Sequence, residues 1–201
     1  MTHLHHGEGR IEIICGPMFS GKTEELLRRV RRAQIAKQPT VIFKPSTDTR
    51  WNPNAVRSHD SNELPSVLVK DSHEIREWMD RQPRHVPVVA IDEVQFFDDE
   101  LPRLCAEMAN AGHRVIAAGL DLDFTGEPFG CMPELLARAE DVTKLSAVCV
   151  ETGRPAHFSH RISGGSDTVE VGEKDRYIPL ARQAFVAARG ITQPKEPTRT
   201  S

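Results

Sequence analysis

The sequence predicts an α/β fold: a parallel sheet flanked by helices, followed by a small β-rich appendage. Three observations carry this. Residues 11–15 read as a strand, residues 16–23 as a turn bounded by glycines, and residues 23–36 as a helix. Two nearly continuous apolar runs rich in β-branched residues, 86–91 and 114–119, read as central parallel strands buried on both faces, with helical periodicity between them. After Val150 the composition shifts to Gly, Pro and Ser around a short alternating run.

Composition narrows the function. A chain of 201 residues holds one full domain and a small appendage. A net charge of -3 argues against a protein that coats nucleic acid. Cys15, Cys105, Cys131 and Cys149 include no close pair, so no disulfide framework is expected and a reducing cytoplasm fits. No run reaches the ~18 apolar residues of a membrane span, and no secretory h-region is visible. Residues 1–9, with His3, His5 and His6, read as a disordered N-terminus.

The elements follow in order. Gly16, Pro17, Met18, Phe19, Ser20, Gly21, Lys22 and Thr23 fit the phosphate-loop pattern G-x-x-x-x-G-K-[ST] at every fixed position. The glycines let several backbone N–H groups converge, and the helix N-terminus adds partial positive charge. Lys22 reaches phosphate oxygens, and the Thr23 hydroxyl suits Mg²⁺. The helix carries its apolar positions at Leu26, Leu27, Val30 and Ala33, which leaves Arg28, Arg29, Arg31 and Arg32 as a solvated face.

Residues 40–44 read as a second strand, and Asp48, Thr49 and Arg50 open an irregular polar loop at its end. Such a loop meets ligands in open α/β sheets, which makes Arg50 a phosphate candidate. A short apolar run at 64–69 precedes a helix at 72–82 capped by Ser72. The strand at 86–91 ends in Asp92 and Glu93, the Walker B arrangement: Asp92 for the Mg²⁺ shell, Glu93 aimed at the attacking nucleophile. A helix at 99–111 stops at Gly112. The strand at 114–119 leads into loop residues 120–130, then a helix at 133–139 and a last strand at 143–150. A terminal helix is expected over 176–188, and residues 192–201 read as a disordered tail.

Taken together the motifs resemble a known family. Gly-Pro-Met-Phe-Ser-Gly-Lys-Thr at 16–23, Asp-Thr-Arg at 48–50, Ser-His-Asp at 58–60 and Asp-Glu-Val-Gln-Phe-Phe at 92–97 are similar to the type II, cytosolic thymidine kinases. So are Gly-Leu-Asp-Leu-Asp-Phe at 119–124, Pro-Phe-Gly at 128–130 and Lys-Leu-Ser-Ala-Val-Cys at 144–149, in the same order. The resemblance implies a RecA-like core over residues 10–148 and a lasso-bearing small domain over 149–191. It implies transfer of the ATP γ-phosphoryl group to the 5′-hydroxyl of deoxythymidine. Glu93 falls on the catalytic base. The phosphate loop, Asp48, Thr49, Arg50 and the run Asp92, Glu93, Val94 and Gln95 fall on the ATP side. Met18, Phe96, Leu120, Phe124 and Phe129 fall on the pocket around thymine, with Ser159 beside it. Val169, Glu170, Val171, Gly172 and Tyr177 fall on the lasso over the nucleoside. The family further implies a homotetramer inhibited by dTTP.

One departure stands out. Most of the family hold zinc in the small domain with two ligand pairs, but here the four positions carry Cys149, Thr152, Ala181 and Ala184. One cysteine cannot hold a tetrahedral zinc, so structural zinc is expected to be absent. His157 and His160 lie nearby at no standard spacing. In its place, Ala181, Ala184 and Ala188 are expected to pack on Val148, Val150 and Phe158, leaving Cys149 a plain buried thiol. The competing readings are a P-loop ATPase, in which Glu93 polarises a hydrolytic water, and a non-catalytic nucleotide-binding module.

Overall fold

The computed structural model describes residues 8–46, 55–57, 63–162 and 176–190. The strands, in chain order, are β1 (Arg10–Cys15), β2 (Thr40–Pro45), β3 (Ala55–Arg57), β4 (Glu63–Pro65), β5 (Val67–Val69) and β6 (Val88–Ile91). They continue with β7 (Arg114–Gly119), β8 (Asp141–Lys144), β9 (Ala147–Val148), β10 (Pro155–Ala156), β11 (Phe158–Arg161) and β12 (Tyr177–Leu180). The helices are α1 (Lys22–Ile35), α2 (Ser72–Asp80), α3 (Leu101–Asn110), α4 (Met132–Arg138) and α5 (Arg182–Ala188), and a 3-10 turn spans Val94–Phe96.

Six strands form one sheet in the order β5-β2-β6-β7-β1-β8, every neighbouring pair parallel. The expected α/β fold, a phosphate-loop strand in a parallel sheet, is therefore observed. Alternation along the strands divides the core between two faces. Ile13, Ile91, Val115 and Ala117 pack toward α3 and α4 residues such as Leu104, Cys105 and Leu135. Ile14, Ala90, Ile116 and Ala118 meet Leu26, Leu27, Val30 and Ala33 of α1. Covering both faces explains why these strands read as unbroken apolar runs. β7 lies between β1 and β6, so the C-terminal ends of all three share one edge of the sheet.

An acid on β1 is buried in this apolar frame. Glu12 of β1 is 2% exposed. It accepts from Arg10 Nε at 2.7 Å, Arg29 Nη1 at 2.9 Å, and Arg114 Nε and Nη2 at 2.6 and 2.8 Å. Burial would raise its carboxyl, but the three guanidinium groups outweigh that and hold it at about 2. Arg29 corrects the expectation of a wholly solvated basic face on α1. It is buried, bonded also to Glu25 and Thr143, and fixes α1 to β1 and β8.

The C-terminal module has its own apolar cluster: Ala147, Cys149, Ala156, Phe158, Leu180, Ala184 and Phe185. β9 pairs antiparallel with β10, and β11 with β12. Several expectations are corrected here. The strand over 143–150 is two strands, because the chain leaves the main sheet at Leu145, whose N–H bonds Cys15 O. The terminal helix over 176–188 begins only at Arg182. Residues 177–180 pair with β11 instead, since Pro179 has no N–H for a helix interior. Period-two alternation buries Ala147 and Cys149 and exposes Val148 and Val150, so the two valines are not part of the packing against α5. Ala181 precedes the helix and Ala188 is exposed, which leaves Ala184 and Phe185 as the buried contacts of α5. Elsewhere, the cap of α2 is Asp71, not Ser72: its side chain accepts from Glu74 N–H at 3.0 Å. The Ser72 hydroxyl donates to Asp98.

Candidate active site

The site grows from the ends of β1 and β6. After Cys15 the backbone passes against Leu145, where a Cβ on Gly16 would lie 2.4 Å from Leu145 O. With φ at 141° as well, only glycine fits. The loop then folds over itself: Ser20 Oγ and Lys22 Nζ each donate to Pro17 O at 2.8 Å. Gly21, in the left-handed region, opens α1, so the first N–H groups of the helix face the loop. The Thr23 hydroxyl donates to Asp92 Oδ2 at 3.4 Å across the gap between β1 and β6. Asp92 is buried, and its Oδ1 accepts the N–H of Glu93 at 3.1 Å.

Glu93 sits at φ 52°, a left-handed conformation that few non-glycine residues adopt. The half-buried carboxylate accepts from Gln95 Nε2 at 2.6 Å. Val94, next to it, is turned fully into the apolar core.

A half-buried aromatic group lies on the same edge. Phe96 and Phe129 meet edge to face with centroids 5.7 Å apart. Asp123 shapes the loop between β7 and α4, its Oδ1 accepting from Thr125 N and Oγ1 and from Glu127 N at 2.7, 2.6 and 3.1 Å. That loop carries Leu120, Phe124 and Phe129. The C-terminal module joins through Ser159 Oγ, which accepts the N–H of Met18 at 2.9 Å.

The structure thus gathers the phosphate loop, Asp92, Glu93, Gln95, Phe96, Leu120, Phe124, Phe129, Ser159 and Tyr177 along one edge. Asp48, Thr49, Arg50, Val169, Glu170, Val171 and Gly172 lie outside the described residues. Arg161 is a site residue the sequence reading passed over. Its guanidinium lies 3.8 Å from the Phe124 ring centroid and donates to Tyr177 Oη from Nε at 3.0 Å and Nη2 at 2.9 Å. Its spacing from Ser159, two residues along a strand, is the signal that could have found it. Lys144 Nζ and Asp121 Oδ2 form an ion pair at 2.6 Å.

The thymidine kinase family profile matches residues 9–185. The chain belongs to the thymidine kinase family. Curated thymidine kinases agree over nearly its whole length. That of Bacteroides thetaiotaomicron is 50% identical over 90% of this chain and 89% of its own length. That of Deinococcus radiodurans is 46% identical over 96% of this chain and 98% of its own. That of Rhodothermus sp. is 48% identical over 98% and 89%. Family membership accounts for a phosphate loop and an aromatic group sharing one edge, since a nucleoside kinase must hold a triphosphate and a planar base together. The resemblance drawn from the motifs therefore stands, and P-loop chemistry on a nucleotide with a metal is the function class of this site. Thr23 and Asp92 present hard oxygen donors of the kind Mg²⁺ takes. Among the described residues no three or more His, Cys, Asp or Glu cluster as a metal site, and no helix is long and apolar enough to cross a membrane.

Proposed function

We propose that the chain transfers the γ-phosphoryl group of ATP to the 5′-hydroxyl of deoxythymidine, giving dTMP. The carrying observation is the Glu93 carboxylate, one residue beyond Asp92 and on the same edge as the phosphate loop and the Phe96–Phe129 pair. Phosphoryl transfer asks for positioning and charge stabilisation more than covalent help. The Lys22 ammonium and the loop amides balance charge on the β- and γ-phosphates. Thr23 and Asp92 would hold Mg²⁺, which when bound neutralises further phosphate charge. Glu93 takes the proton from the 5′-hydroxyl as its oxygen attacks the γ-phosphorus, whose bond to the β-phosphate oxygen breaks to release ADP. Met18, Phe96, Leu120, Phe124 and Phe129 offer apolar and aromatic surface to the base, and Ser159 and Tyr177 border it. The family likeness supports Asp48, Thr49 and Arg50 on the phosphate side and Val169, Glu170, Val171 and Gly172 as lasso over the nucleoside.

The same likeness supports a cytoplasmic homotetramer inhibited by dTTP, with a nucleotide-binding domain over residues 10–148 and a small domain over 149–191. In that small domain we assign packing the place of zinc. Cys149 and Ala184 share one buried cluster, with Ala181 packed against it. Cys149 is not a plain thiol: the Thr152 hydroxyl and the N–H groups of Ala181, Glu151 and Thr152 outweigh burial and lower it to about 7.

The test is ATP consumption across a panel of deoxynucleosides with Mg²⁺. Turnover with thymidine and deoxyuridine, and almost none with purine deoxynucleosides, is the expected result. ATP hydrolysis indifferent to nucleoside would replace it with the ATPase reading.

A further inference from the structure

We infer that Gln95 is the positioning residue of Glu93 and ties its carboxylate to the loop expected to receive the nucleoside. This deepens the proposed function and rests on Glu93 as the base. Its sequence position groups Gln95 with the ATP side, yet its side chain, 3% exposed, turns to Glu93.

Two bonds fix which end of the carboxamide faces the carboxylate. Leu120 N–H can only donate, and it lies 3.0 Å from Gln95 Oε1. The oxygen is thereby committed as acceptor, which leaves the amino end, donor only, 2.6 Å from Glu93 Oε2. A donor so held fixes the direction of the carboxylate.

Two glycines make room for Gln95. A Cβ on Gly119 would stand 2.6 Å from Gln95 Oε1, and one on Gly130 would stand 2.5 Å from Gln95 O. Both glycines therefore serve the close approach of this residue. Gly119, Leu120 and Gly130 bracket the segment bearing Phe124 and Phe129. The loop that seats the base thus sets the direction of the carboxylate, through one carboxamide. Glu93 needs that support because its φ of 52° is a backbone state the local chain does not favour.

The experiment measures steady-state transfer from ATP to thymidine for Gln95→Leu and Gln95→Met, each alone and combined with Glu93→Gln. Gln95→Met matches the length of the carboxamide side chain and removes the donor without adding charge, so it carries the test if Gln95→Leu does not fold. Each single variant should lower kcat about 10- to 100-fold, the worth of a hydrogen bond to a charged group. KM for both substrates should stay within about twofold. In the Glu93→Gln background the further loss should shrink to about threefold or less, because residues acting as a unit are not additive. Unchanged kcat, a loss confined to KM, or an equal loss in both backgrounds would overturn the inference. An inactive Glu93→Gln beside silent Gln95 variants removes this inference and leaves the base in place. Near-normal turnover of Glu93→Gln removes both.

Discussion

Glu93, Arg161 and Glu12 give the residue scale its three sharpest expectations. Glu93→Gln should retain ATP binding and lose ~10² or more in kcat, the usual worth of a positioned base. Direct nucleotide titration beside turnover separates the two effects. Arg161 holds the rings of Phe124 and Tyr177 from two sides, one by stacking and one by two hydrogen bonds. Arg161→Met should therefore raise KM for thymidine about tenfold while leaving KM for ATP nearly unchanged. Lysine should not rescue it, since an ammonium lacks the planar fork. Glu12 makes a prediction about acid. Its carboxyl is held at about 2 in the fold against an ordinary 4.5, so its stabilisation is complete above 4.5 and is lost as pH falls from 4.5 toward 2. The gap in stability between wild type and Glu12→Gln should be about 3 kcal/mol or more near neutrality and close through that window in urea melts.

At the scale of elements, the small module rests on a few side chains. Phe158 and Phe185 stack with centroids 4.4 Å apart, and the His160 ring meets Phe185 edge-on at 6.0 Å. Phe185→Ala should cost about 3–5 kcal/mol, read as a fall in melting temperature. A strong chelator should leave the melting temperature of the native protein unchanged when nucleotide and Mg²⁺ are absent. One zinc per chain, removed with loss of stability, would contradict packing as the stabiliser and point to His157 or His160. The elements also mark where sequence reasoning reaches its end. β1, α1, β2 and β7 were legible because a buried parallel strand and an amphipathic helix each write their period into the chain. β12 was not, because four residues are too short to show a period and its pairing with β11 is set at a distance. Asp71 outranked Ser72 as a cap because Asp98 already claims the serine hydroxyl.

On the scale of the whole molecule, the phosphate half of the site was readable and the nucleoside half only partly so. Gly16 to Thr23 and Asp92-Glu93 are contiguous motifs, and local chain geometry dictates what they do. Gln95 facing Glu93, Arg161 over Phe124 and Ser159 under Met18 are meetings of distant segments, which no local pattern records. The proposed assembly carries its own check. Light scattering should return a mass near four chains, and dTTP should inhibit turnover in competition with thymidine or ATP. A monomer insensitive to dTTP would remove that part of the reading.

The bond from Met18 N–H to Ser159 Oγ has a consequence for dissecting the protein. A fragment ending at Lys144 would contain the whole phosphate loop, β1, β6 and Glu93, and by inspection would pass for a self-sufficient nucleotide binder. It would nevertheless lack the hydroxyl that receives the loop's own amide and the strand that carries it. A nick in the turn at Thr152–Gly153 between β9 and β10 should leave the two pieces associated and the loop intact. Separating those pieces should slacken the loop, and adding the C-terminal piece back should restore it. The tail end of the chain is in this sense a chaperone, built in cis, for the segment nearest its beginning.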